Sequence, residues 1–91
     1  LLSIDSCSFS GYIYDDEENP LNQVSIMYNN KVLHNTNSQG YFYFKFPRGD
    51  MKLTDKISFE CSKENYIPDA MIIDMRDNNN IKKILKQRKN S

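Results

Sequence analysis

This chain of 91 residues contains one histidine and two cysteines, so it has little with which to build nucleophilic or metal-centred chemistry. A hydrolytic triad needs a histidine that is oriented by a carboxylate and set beside a nucleophile. His34 is followed by Asn35, no Gly-x-Ser-x-Gly elbow is present, and His34 reads as a surface residue of a strand. One histidine and two distant cysteines do not supply the four ligands of a structural zinc site. The run Asp15-Asp16-Glu17-Glu18 raises calcium. That ion takes roughly six to eight oxygens gathered from spaced positions. Four consecutive acids point in several directions and read as a solvated loop. No catalytic residue, metal or cofactor is expected.

The cysteines admit three readings. Ile4-Asp5-Ser6-Cys7 resembles a bacterial lipobox, with a branched apolar residue three before the cysteine and a small one just before it, although Asp5 departs from that pattern. In this reading residues 1–7 are a signal-peptide remnant or N-terminal extension, and Cys7 is a lipid anchor to a membrane. The second reading is a Cys7–Cys61 disulfide in an oxidising compartment. The third is two buried thiols. The first two put the protein outside the cytoplasm, in the periplasm or cell envelope.

The tyrosines carry the clearest binding signal. They recur at every second residue as Tyr12/Tyr14 and again as Tyr41/Tyr43, followed by Lys45. Tyrosine is enriched at interface hot spots, and large exposed aromatic patches are uncommon on monomers. The competing explanation is sheet reinforcement, because cross-strand aromatic pairs contribute about 0.2–1 kcal/mol each. Tyr12, Tyr14, Tyr41, Tyr43 and Lys45 are therefore the candidate partner-binding residues.

The elements that must position these residues are short. In "CSFSGYIY", residues 7–14, Cys7, Phe9, Gly11 and Ile13 alternate with Ser8, Ser10, Tyr12 and Tyr14, the period of a strand. Gly11 on the apolar side points to a close backbone or a large neighbouring ring. "DDEENPLN" is a loop. "QVSIMY" and "KVLHNT" form a hairpin about Asn29-Asn30, since Asn tolerates positive φ. "YFYFKF", residues 41–46, turns Phe42, Phe44 and Phe46 to one side and Tyr41, Tyr43 and Lys45 to the other. "PRGD" is a turn, and "KISFEC" a strand with Ile57, Phe59 and Cys61 inward. "AMIIDM", residues 70–75, is apolar enough to be a central strand or one buried on both faces. The last segment, "IKKILKQRKNS", fits helix or strand; a strand agrees with the rest, and its lysines suit an exposed edge.

Seven short strands at roughly ten-residue intervals indicate an all-β sandwich. The expected domain is 8–88, with 89–91 a frayed tail. A chain of this length buries about 60–65% of its unfolded surface, a modest core. Zero net charge gives no reason to expect nucleic acid. No run of apolar residues is long enough to span a bilayer as a helix.

Residues 9–68 also resemble the carboxypeptidase regulatory-like domains, whose fold is transthyretin-like (prealbumin-like). The likeness rests on Phe9, Gly11, Ile13, Asp15, Pro20-Leu21 and Val24/Ile26, then Thr36 and Gly40-Tyr41-Phe42-Tyr43-Phe44, and finally Tyr66 and Pro68, with Asn65 where the family has Gly. It implies a seven-stranded Greek-key β-sandwich with the first and fourth strands adjacent, and a non-catalytic module. The one enzyme of this fold, the transthyretin-related hydroxyisourate hydrolase, needs several histidines and a Tyr-Arg-Gly-Ser end that this chain lacks. The expected function is a non-enzymatic extracytoplasmic protein–protein interaction domain, an envelope component or a toxin-neutralising partner of immunity type. The alternative is a carbohydrate-binding module of starch-binding-like fold, which the absence of Trp disfavours.

Overall fold

A computed structural model describes residues 6–47 and 54–88. Seven strands and one short 3₁₀ turn follow in order: β1 (Ser6–Asp15), β2 (Ser25–Tyr28), β3 (Lys31–Asn35), β4 (Tyr41–Pro47), β5 (Lys56–Ser62), β6 (Asp69–Asp74), the turn Met75–Asp77, and β7 (Ile81–Leu85). They make two sheets in a sandwich-like arrangement, a three-stranded one ordered β4-β1-β7 and a four-stranded one ordered β3-β2-β5-β6. The first and fourth strands are neighbours, as expected. The expected turn at Arg48-Gly49-Asp50, the lipobox residues Ile4 and Asp5, and the tail 89–91 lie outside the described residues.

Alternation builds the core. Phe9 and Ile13 of β1, Phe42 and Phe44 of β4, Ile57, Phe59 and Cys61 of β5, Met71 and Ile73 of β6, and Leu85 of β7 are all buried. Phe59 is the hub, with ring centroids 5.3 Å from Phe9, 5.2 Å from Phe44, 5.5 Å from Phe46 and 5.7 Å from Tyr28. Tilted and edge-on aromatic pairs of this kind add about 0.5–1.5 kcal/mol beyond burial alone. Both sheets thus share one aromatic centre.

Local chemistry fixes the turns. Asn29 and Asn30 have φ of 51° and 64°, the backbone of a two-residue type I′ hairpin. A bulge between Ile26 and Met27 shifts the β2–β3 register. Gly40 has φ +75°, and a Cβ there would press on the Ile13 carbonyl. Asn65 has φ 72°, so it does adopt the left-handed conformation expected of it. The Thr36 hydroxyl donates to the Leu21 carbonyl at 2.6 Å and accepts from Val24 N–H at 2.9 Å, tying the 15–24 loop to the end of β3.

Three expectations need correction. Segment 70–75 is neither central nor buried on both faces: β6 pairs only with β5, and Ile72 is 68% exposed. Its apolar run reflects an ordinary inward file, Met71 and Ile73, and Met75 buried in the following turn. His34 is half-buried, its ring centroid 6.4 Å from Phe44, because the bulge turns it toward the gap between the sheets. Gln23 and Val24 lie before β2, where Gln23 has φ 60° and cannot continue a strand. The ambiguous last segment is a strand, with Leu85 inward and Ile84 outward.

Candidate functional site

The outer face of the three-stranded sheet gathers the tyrosines. In the β1–β4 ladder Tyr12 lies opposite Tyr41, Ser10 opposite Tyr43, and Ser8 opposite Lys45. The ring centroids of Tyr12 and Tyr41 are 5.1 Å apart, and those of Tyr12 and Tyr14 are 6.2 Å apart with their planes only 14° from parallel. These three rings form one cluster. Tyr43 extends the face beside Ser10, and Lys45 stands at its far end beside Ser8. Tyr12 and Tyr43 are 42% and 45% exposed, while Tyr14 and Tyr41 are half-buried. The five residues singled out from the sequence therefore share one side of one sheet.

β7 completes that side; the sequence favoured a strand there but not its place beside β1. It runs parallel to β1, placing Lys82 beside Tyr12 and Ile84 beside Tyr14. Lys82 Nζ sits 5.4 Å from the centre of the Tyr14 ring, within reach of a cation–π contact. Gly11 permits the approach of the two strands: a Cβ at that position would overlap the Ile81 carbonyl oxygen. The close backbone anticipated at Gly11 is thus the seventh strand. The period-two pattern could flag Lys82 and Ile84 as outward residues, but not which strand they would flank.

The turn before β7 is pinned to β1. Ser10 N–H donates to the Asn78 carbonyl at 3.0 Å, and Asn78 Nδ2 donates to the Ser8 carbonyl at 2.8 Å. The Ser10 hydroxyl donates to Asn79 Oδ1 at 3.2 Å. Between this turn and the rings lies a cleft of about 280 Å³, lined chiefly by Tyr12, Tyr14, Tyr41, Asn79, Asn80 and Lys82. Aromatic planes, side-chain amides and one cation meet there, an arrangement able to hold a ligand with both apolar and polar edges.

The remaining candidates do not join this face. Cys7 and Cys61 are free thiols, so the bridge of the second reading is not formed. Cys7 is half-buried on the inward side of β1, opposite Phe46. Cys61 is fully buried with its Sγ 3.9 Å from Met71 Sδ, and burial pushes its thiol up to about 12. It is thus a protonated core side chain rather than a nucleophile. In the acidic loop, the Asp15 carboxylate accepts from the backbone N–H groups of Asn19 and Glu17, both at 2.8 Å. The Asn19 bond is the main reason its pKa falls below the ordinary value. Asp16, Glu17 and Glu18 are exposed. Among the described residues no three His, Cys, Asp or Glu come together as a metal site.

Lys83 behaves unlike the other lysines of the last segment. Its side chain is 20% exposed, and its Nζ bonds the Asp69 carboxylate at 2.8 Å and the Ala70 carbonyl at 2.9 Å. It connects the open edges of β6 and β7 and lowers the Asp69 pKa, chiefly through its hydrogen bond. In comparisons with known proteins, no family model matches this chain and no curated sequence matches it significantly.

Proposed function

We propose that this domain is a non-enzymatic, extracytoplasmic protein-interaction module that binds through the outer face of the β4-β1-β7 sheet. The carrying observation is the tyrosine cluster: Tyr12 in ring contact with both Tyr14 and Tyr41, and Tyr43 alongside, on a side of the molecule outside the buried core cluster. In this reading the domain is an envelope component or a toxin-neutralising partner of immunity type. The test is capture from a native envelope extract by the full chain. Tyr12→Ser with Tyr43→Ser should abolish capture while leaving the melting temperature nearly unchanged. Capture that survives both changes removes this face from consideration.

The cleft favours one second reading. Tyrosine rings beside the Asn79 and Asn80 amides could hold a sugar ring, as in a carbohydrate-binding module of starch-binding-like fold. Binding on a glycan array that needs Tyr12 would establish it, and the lack of Trp counts against it. Membership of the carboxypeptidase regulatory-like family, with its Greek-key transthyretin-like topology, belongs to the same proposal. The adjacency of β1 and β4 and the left-handed Asn65 support it. An envelope location with Cys7 as lipid anchor is its last part. Acylation there would require the start of β1 to leave Phe46, and mass spectrometry of Cys7 from the membrane fraction tests it.

A further inference from the structure

The charge on the tyrosine face is one-sided. Its outward residues are Ser8, Ser10, Tyr12 and Tyr14 on β1, Tyr41, Tyr43 and Lys45 on β4, and Lys82 and Ile84 on β7. Two are cations and none is an acid, although the whole chain is neutral. The lysines occupy different places: Lys45 is at the Ser8 end of the face, and Lys82 is in the wall of the cleft. Among the described residues neither lysine has a carboxylate within salt-bridge distance, whereas Lys83, on the inward side of the same strand, does. The nearest acids in sequence lie off this face: Asp15 at the end of β1 is turned into its own backbone, and Asp74 and Asp77, before β7, share a separate hollow with Lys82 without pairing with it.

We infer that the partner is an acidic protein surface, with an Asp or Glu side chain seated in the cleft against Lys82 and apolar chain laid across the tyrosine rings. This rests on the protein-interaction reading above and specifies its partner chemistry. The cleft suits a carboxylate. Lys82 supplies the charge, and the Asn79 and Asn80 amides lie in the same wall. The Tyr12, Tyr14 and Tyr41 rings wall off part of the surrounding water, which strengthens the ion pair relative to one in open solvent. Asn79 is held by the Ser10 hydroxyl before any ligand arrives, so the wall needs little ordering on binding. Lys45, at the far end of the sheet, adds a second point of attraction that sets the partner's orientation.

The experiment is selection of a random peptide library on the full chain, run in parallel on Lys45→Glu with Lys82→Glu and on Tyr12→Ser with Tyr43→Ser, with melting temperatures measured for each. Wild type should enrich peptides that combine Asp or Glu with apolar residues. Their binding should weaken about tenfold or more in the lysine variant and with rising salt. The lysine variant should in turn enrich basic peptides. Neutral or basic peptides that need the tyrosines but ignore the lysines would overturn the acidic-partner inference and leave the interaction face standing. Enrichment indifferent to both sets of changes, or none at all, would overturn both. Tyr12-dependent binding to a glycan array instead would replace the protein partner with a sugar.

Discussion

The two sheets share a core but show different faces to water. Across β5 and β6, Lys56 lies opposite Asp74, Ser58 opposite Ile72 and Glu60 opposite Ala70; Ser25 and Met27 of β2 continue that side. These outward residues are mostly small or of mixed charge, with Ile72, Val32 and the half-buried Met27 as the apolar ones and no aromatic among them. The β4-β1-β7 sheet instead offers four tyrosines, an isoleucine and two lysines. Both sheets obey the same alternation, so folding alone does not require the contrast. A side chain pointing to solvent is less constrained by the core, and the tyrosine face differs either as reinforcement by cross-strand ring pairs or as a contact surface.

The difference can be broken most sharply at Gly11. Gly11→Ala should cost about 3 kcal/mol, because overpacking at a close backbone contact forces β7 away from β1. Hydrogen exchange should then show Ile81–Leu85 losing protection while β5 and β6 keep theirs. Next in size is Thr36→Val, expected to cost about 2 kcal/mol by leaving the buried Val24 N–H and Leu21 carbonyl without the Thr36 hydroxyl. This is measurable by urea unfolding and should leave the binding face intact below the melting transition. Ile72→Lys, on the plainer face, should change stability by less than about 0.5 kcal/mol and leave peptide binding unaltered. An equal loss of binding there would erase the distinction between the faces.

The smallest effect is a titration on the β5–β6 side. Hydrogen bonds from the Arg76 side chain and backbone hold Asp74 down to about 2. A carboxyl whose pKa is lower folded than unfolded stabilises the fold above the ordinary value of 3.8. That contribution is lost as pH falls through about 2. Carboxyl NMR should find the Asp74 midpoint near 2, and Arg76→Ala should raise it toward the ordinary range.

The sequence made the strands legible where each had one wet side. "CSFSGYIY" and "YFYFKF" declare both faces residue by residue, and the inward phenyls and outward phenols are where the pattern puts them. The pattern misled at "AMIIDM", where apolar density suggested a central position although only alternate residues are buried. It also misread Lys83, counted with the lysines of an exposed edge but turned inward onto Asp69. Tyr12, Tyr14, Tyr41, Tyr43 and Lys45 could be named in advance because two strands in one register suffice to group them. Lys82, Ile84 and the Asn79 wall could not, because parallel pairing over a long sequence separation leaves no local mark.

The position of β7 has one more consequence. The cleft draws Tyr12 and Tyr14 from near the start of the fold, Tyr41 from its middle, and Asn79 to Lys82 from its final strand and the turn before it. A ribosome-bound or proteolysed chain that still lacks Ile81–Leu85 would have the phenols but no cleft, so anything that depends on the cleft would have to wait until β7 is made and paired with β1.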